Sequence, residues 1–122
     1  MDDGVRNPAV LILSADPLAA ALLGAAAELA GYDALFPHAS EPPRAALLRL
    51  RPRLVLVDCD HETACSEAFV GPALMTGAKV LIFRSRRSVH DASELARRTQ
   101  VTVLELPLEG SRLTTVLGDM LR

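Results

Sequence analysis

Three runs of the sequence, Ala9–Leu13, Leu54–Val57 and Val80–Phe83, are apolar without interruption. Runs of this length bounded by polar residues read as strands buried on both faces, the pattern of central strands in a parallel sheet covered by helices. The second is the most strongly marked, because Arg53-Leu54-Val55-Leu56-Val57-Asp58-Cys59-Asp60 carries branched apolar residues straight into a carboxylate. Asp33–Pro37 is shorter, alternates and contains a proline, which suits a sheet edge. Val101–Leu106 supplies a last strand.

Between the strands the spacing becomes helical. Asp16 before Pro17 predicts a helix start: the carboxylate accepts from free first-turn amides, and proline loses nothing where an N–H has no partner. Leu18, Leu22, Ala25 or Ala26, and Leu29 mark the apolar stripe of this helix over Pro17–Ala30, with Gly31 placed for a left-handed cap. A second helix follows Pro42-Pro43 and stops at Pro52; a third, over Thr63–Thr76, is expected to be kinked or split at Gly71-Pro72. Ser88 with Asp91 resembles a capping box for a short fourth helix. Leu113, Val116, Leu117, Met120 and Leu121 trace the stripe of a final helix.

Strands alternating with helices imply right-handed crossovers and a parallel sheet covered on both faces, an α/β three-layer αβα sandwich. The weak second strand favours the flavodoxin-like (βα)5 order 2-1-3-4-5 over a Rossmann order. A chain of 122 residues has the length of one domain, read as a flexible leader over residues 1–8 and a single domain over 9–122. Its net charge of −2 disfavours nucleic acid as a partner. The acidic Met1-Asp2-Asp3 start is the reverse of a basic export leader, and no apolar run approaches the ~20 residues that cross a bilayer, so a cytoplasmic protein without membrane contact is expected. Cys59 and Cys65 are read as reduced thiols, and the Cys59, Asp60, His61, Cys65 group matches no zinc spacing.

In open α/β sheets chemistry gathers at the carboxyl ends of the strands. That edge is expected to carry Ser14, Ala15 and Asp16, then Asp58 and Asp60, then Arg84 and Ser85, then Leu106 and Pro107. On Val10-Leu11-Ile12-Leu13-x-x-Asp16-Pro17, on Arg51-Pro52-Arg53-Leu54-Val55-Leu56-Val57-Asp58 and on a last strand ending at Pro107, the chain from Val10 to Leu121 resembles the receiver domain (CheY-like) of bacterial response regulators. The resemblance implies that Asp58 stands where a phosphoacceptor aspartate stands, fed by a partner histidine kinase. It further implies a Mg²⁺ ion held by that aspartate and an acidic pair after the first strand. A hydroxyl after the fourth strand and a lysine before the proline would bind the phosphoryl oxygens; cations are needed there because charge develops on transfer.

The helpers are replaced. The acidic pair falls on Ser14 and Ala15, with Asp16 one place late and better placed as a helix cap; the hydroxyl falls on Arg84, the lysine on Leu106, and the switch aromatic on Val103. Mg²⁺ asks for several oxygen ligands, so its binding is expected to be weak or absent. Arg84 is expected to substitute for the missing cations by pairing with Asp58 through its guanidinium.

No Ser-His-acid set or phosphate loop can be assembled, so no catalytic residues and no metal site are assigned. The basic group Arg84, Arg86, Arg87, Arg97 and Arg98 is interspersed with Glu94, Glu105 and Asp119, the pattern of a solvated face; its functional reading is a docking or homodimer surface of helix four, strand five and helix five. The expected function is that of a non-enzymatic pseudo-receiver acting through protein partners, a histidine kinase or a downstream effector. The alternatives are a working phospho-receiver using Asp58 and a flavodoxin-like domain that binds a small molecule. With Arg122 directly after the last helix, no output domain is expected within the chain.

Overall fold

Leu54–Asp58 forms β3, and all five of its residues are buried. In the computed structural model, which describes residues 7–85, 88–106 and 110–120, it lies at the middle of a parallel sheet. Its neighbours are β1 (Ala9–Leu13) on one side and β4 (Lys79–Arg84) on the other. The edges are β2 (Asp33–Leu35) beside β1 and β5 (Thr102–Glu105) beside β4, so the order is β2-β1-β3-β4-β5. The apolar runs take the centre and the short proline-bounded strand takes an edge, as the sequence pattern requires.

The crossovers are α1 (Pro17–Leu29), α2 (Pro43–Leu50), α3 (Glu67–Met75) and α4 (Ser93–Thr99), and the chain closes with α5 (Gly110–Asp119). Side-chain alternation along the strands divides the core in two. Val10, Ile12, Leu54, Leu56, Leu81 and Phe83 face α1 and α5, where Leu23, Ala27, Leu113 and Leu117 meet them. Leu11, Leu13, Val55, Val57, Val80 and Ile82 face the other way, onto Leu47 of α2, Val70 of α3 and Ala96 of α4.

Helix ends follow local chemistry. The Asp16 carboxylate accepts from the Leu18 N–H at 3.0 Å and caps α1. At the other end Gly31, at φ 102°, lets its own N–H reach the Glu28 carbonyl and the Tyr32 N–H reach that of Ala27, a Schellman closure.

Three expectations are corrected. The leucines of α1 face outward: Leu18 and Leu29 are 78 % and 79 % exposed, while Leu23, Gly24, Ala26 and Ala27 form the buried face. The helix is apolar almost all round, so periodicity alone could not choose its inner side. The third helix is neither split nor as early as expected, since it starts at Glu67 and runs through Pro72. The Ser88–Asp91 capping box does not form. Ser88 closes a turn with Ser85 instead, and Asp91 accepts from the Ser93 N–H at 2.9 Å, one turn later.

Tyr32 ties the two ends of the fold together. Its ring is buried and its hydroxyl donates to the Leu117 carbonyl of the last turn of α5 at 3.0 Å. Tyr32→Phe keeps the packing and removes one buried bond, so a loss of about 1 kcal/mol is expected in urea unfolding; an unchanged midpoint would show that water satisfies that carbonyl equally well.

Candidate functional site

Asp58 ends β3 as the one buried charged residue among those described, 6 % exposed. It belongs to the Leu54, Leu56 side of the strand and therefore points toward α1 and α5. Its carboxylate is held by two loops. Oδ2 accepts from the Ala15 N–H at 2.9 Å and lies 3.3 Å from the Ser14 hydroxyl, while Oδ1 accepts from the Asp60 N–H at 2.9 Å. Main-chain donors thus do the work of a cation at a buried charge, since bonds from N–H groups to an ionised acceptor are the strong kind.

The expected ion pair between Asp58 and Arg84 is not formed. In the β3–β4 register Asp58 stands beside Phe83 and Arg84 stands beside Glu105 of β5. Arg84 is one residue beyond Phe83, so alternation sends it to the opposite face, toward α4. There its Nη1 lies 3.8 Å from the Glu105 carboxylate, and its Nε is buried without a hydrogen-bond partner. A partly exposed pair at that distance is worth at most about 1 kcal/mol.

The same alternation gives a part to a residue that the sequence places at this edge without a role. Ser85, not Arg84, joins Asp58 at a cavity of about 260 Å³, together with Ser88, Phe83, Ala19 and Leu106. A hydroxyl therefore does follow the fourth strand on the side of Asp58; the signal was the parity of Phe83 and Ser85, available once the pairing register is known. Ser14, Ala15 and Asp16 sit where expected after β1, and Leu106 closes the far side of the cavity as a buried apolar residue. Pro107 lies outside the described residues, as do Arg86 and Arg87.

Asp60 fastens the loop after β4. Its Oδ1 accepts from the N–H groups of Val89 and His90 at 3.2 and 3.1 Å and lies 2.9 Å from His90 Nδ1. The His90 ring above all, then the His90 N–H, the Ser88 hydroxyl and the Val89 N–H, hold the Asp60 carboxyl below its ordinary value against the opposing effect of burial. Asp58, Cys59 and Asp60 could bring ligand atoms within 4.8 Å of one another, but both carboxylates are already engaged. Burial pushes the Cys59 thiol up and that of Cys65 to about 11, the opposite of what a reactive or metal-binding thiol requires. On α4 the arginines are locally paired, Arg97 with Glu94 at 2.5 Å and Arg98 with Glu67 and Glu94 at 2.7 and 3.1 Å.

No protein-family model matches the sequence, and no curated protein is similar to it by sequence. The fold has clear counterparts among solved structures. The signal receiver domain of a putative LuxO repressor protein from Vibrio parahaemolyticus superposes with a TM-score of 0.73 at 21 % identity, over 95 % of this chain and 91 % of that one. The N-terminal domain of the nisin resistance regulator NsrR, a lantibiotic response regulator, gives 0.74 at 16 % identity over 96 % and 100 %. The signal receiver domain of a modulated diguanylate cyclase from Desulfovibrio desulfuricans gives 0.64 at 27 % identity over 93 % and 95 %. The chain has the flavodoxin-like fold of response regulator receiver domains.

The Asp60 clamp has a pH signature. A carboxyl whose value is lowered by folding adds stability that is present above the ordinary value of 3.8 and is lost as pH falls through the lowered one. His90→Ala removes the largest cause. Carboxyl carbon NMR titration of Asp60 should then move up toward 3.8, and stability should fall less steeply in acid; a titration curve that does not move would assign the clamp to the backbone N–H groups alone.

Proposed function

We propose that this chain is a receiver-like signalling domain that acts by protein contact, a pseudo-receiver in which Mg²⁺-dependent phosphorylation of Asp58 is lost. One observation carries the reading: the positions flanking Asp58 where cations would be recruited are Ala15 and Leu106, both without charge. Hydrolysis-free phosphoryl transfer to a carboxylate needs positive charge at the equatorial oxygens. The donor set also does not suit Mg²⁺, which wants near-octahedral oxygen ligands. Both Asp58 oxygens accept from main-chain N–H groups, one Asp60 oxygen is taken by the β4–α4 loop, Asp16 at the cavity wall is engaged as the α1 cap, and the third member of the close group is the Cys59 thiol. The domain is accordingly no enzyme, and a kinase or effector protein is its partner. Homodimerisation through α4, β5 and α5 is the weaker form of that output, because the α4 arginines are already paired with Glu67 and Glu94.

A second reading, a phospho-receiver of unusual make-up, is favoured by the hydroxyls of Ser85 and Ser88 at the Asp58 cavity. They could receive phosphoryl oxygens, but as neutral donors they supply no compensating charge. A small-molecule function at this edge is disfavoured by volume, since about 260 Å³ falls below the roughly 300–1,000 Å³ of ordinary ligand sites.

Incubation with a small phosphodonor and Mg²⁺, followed by intact mass measurement, separates the two readings. No phosphate-sized gain is expected for the native chain. A gain in the native chain that Asp58→Asn abolishes would establish the phospho-receiver instead.

A further inference from the structure

A groove on the opposite side of the molecule from the Asp58 cavity has no role in that reading. It lies across α2, the end of α3 and α4, with a volume of about 760 Å³. A smaller depression of about 440 Å³ beside the end of α2 shares Leu47, Leu48 and Thr76 with it, so the two form one continuous surface. Its floor is apolar and open: Leu48 is 63 % and Met75 87 % exposed, and Leu74 lies beside them half-buried. Exposed large apolar residues clustered in a concavity, with polar residues around them, mark contact sites.

The rim is of one sign. Arg44 and Arg98 line the groove and Arg51 lines its extension, while no Asp or Glu lines either among the described residues. Arg98 is shared between Glu67 and Glu94, but Arg44 and Arg51 have no ion pair among the described residues. In a chain whose net charge is −2, this local excess of positive charge is not the background of the surface. The wall of α3 adds an independent sign. Gly71 sits inside the helix, where glycine costs about 1 kcal/mol against alanine, yet a Cβ there would meet nothing within 4 Å. Its missing side chain is not needed by the packing of this chain; it leaves backbone open to close approach from outside.

We propose that the α2–α3–α4 groove receives an amphipathic helix of a protein partner, its apolar stripe on Leu48, Leu74 and Met75 and its acidic flank on Arg44 and Arg51. The proposal rests on the protein-contact reading and names its surface. The mode is that of a helix laid in an apolar groove, read by anchors at i, i+3 or i+4, and i+7, with charge setting orientation and partner choice. A basic or neutral helix lacks the complement to the rim, and a second copy of this chain offers along its exposed α1 leucines only the single acid Glu28.

The test is a phage-displayed library of 18-residue helical peptides, randomised on all faces and selected on the intact protein. Enriched peptides are expected to combine an apolar stripe with Asp or Glu flanks. They should bind at least 10-fold more weakly to Leu48→Glu and to Met75→Glu, whose exposed positions leave the fold intact by circular dichroism. The double variant Arg44→Glu with Arg51→Glu should turn the selected flank from acidic to basic. Amide chemical-shift changes should centre on Leu48, Gly71 and Met75. Enrichment without acidic residues, shifts centred on α1, no enrichment over the Met75→Glu variant, self-association abolished by Met75→Glu, or binding to phosphatidylserine vesicles in place of peptides would each overturn the proposal. An intact-mass gain on Asp58 with the peptide results unchanged would instead overturn only the loss of phosphorylation.

Discussion

The two-residue alternation of a strand covered on both faces governs this molecule. In β3 and β4 it puts Leu56, Asp58, Leu81 and Phe83 toward α1 and α5, and Val57, Cys59, Val80 and Ile82 toward α2, α3 and α4. Two packed cores require that division, each strand giving every second side chain to one of them. The functional edge inherits it without freedom to choose. Asp58 must share its face with Phe83 and Ser85, and Arg84 must go to the other side, where Glu105 is its register partner.

From that constraint follows the way the buried carboxylate is held. With the guanidinium on the wrong face and Leu106 closing the cavity, the positive ends within reach of Asp58 are the N–H groups of Ala15 and Asp60. Both belong to loops at the strand ends, so Asp58 serves as a knot between the β1–α1 and β3–α3 connections. Asp60 repeats the device one step further, binding the N–H groups of Val89 and His90 and thereby the β4–α4 connection. Three loops of the edge are fastened in series by two carboxylates.

The fold was legible in the sequence because its signals are redundant. Three apolar runs, a proline-bounded edge strand and Asp16-Pro17 each point to the same parallel sheet, and the order β2-β1-β3-β4-β5 agrees with them. The site was legible only as to position. Asp58, Ser14, Ala15 and Leu106 stand at the expected edge, but the partner of Asp58 depended on the parity of one residue, which a count along Lys79–Arg84 cannot fix without the pairing register. The inner face of α1 was illegible for a related reason. A helix reading Pro-Leu-Ala-Ala-Ala-Leu-Leu-Gly-Ala-Ala-Ala-Glu-Leu offers apolar residues in every direction, and the inside is taken by Leu23 with the small residues Gly24, Ala26 and Ala27. An added Cβ at Gly24 would come into ordinary contact with Phe36, Ala34 and Ile12, so this face of the helix lies directly against the sheet side.

The outward leucines of α1 then bear on function. Leu18 and Leu29, and in part Leu22, leave apolar surface that the described residues do not cover. Burying a leucine side chain is worth about 1.5–3 kcal/mol, so a stripe of three is a standing drive toward association. Together with the groove across α2, α3 and α4, on the other face of the sheet, it leaves two chemically distinct exposed surfaces, one apolar and nearly uncharged, the other apolar with an arginine rim. Neither surface lies on the helices of the other. Both surfaces follow from the division that also places Asp58, since each strand gives alternate side chains to the α1, α5 layer and to the α2, α3, α4 layer.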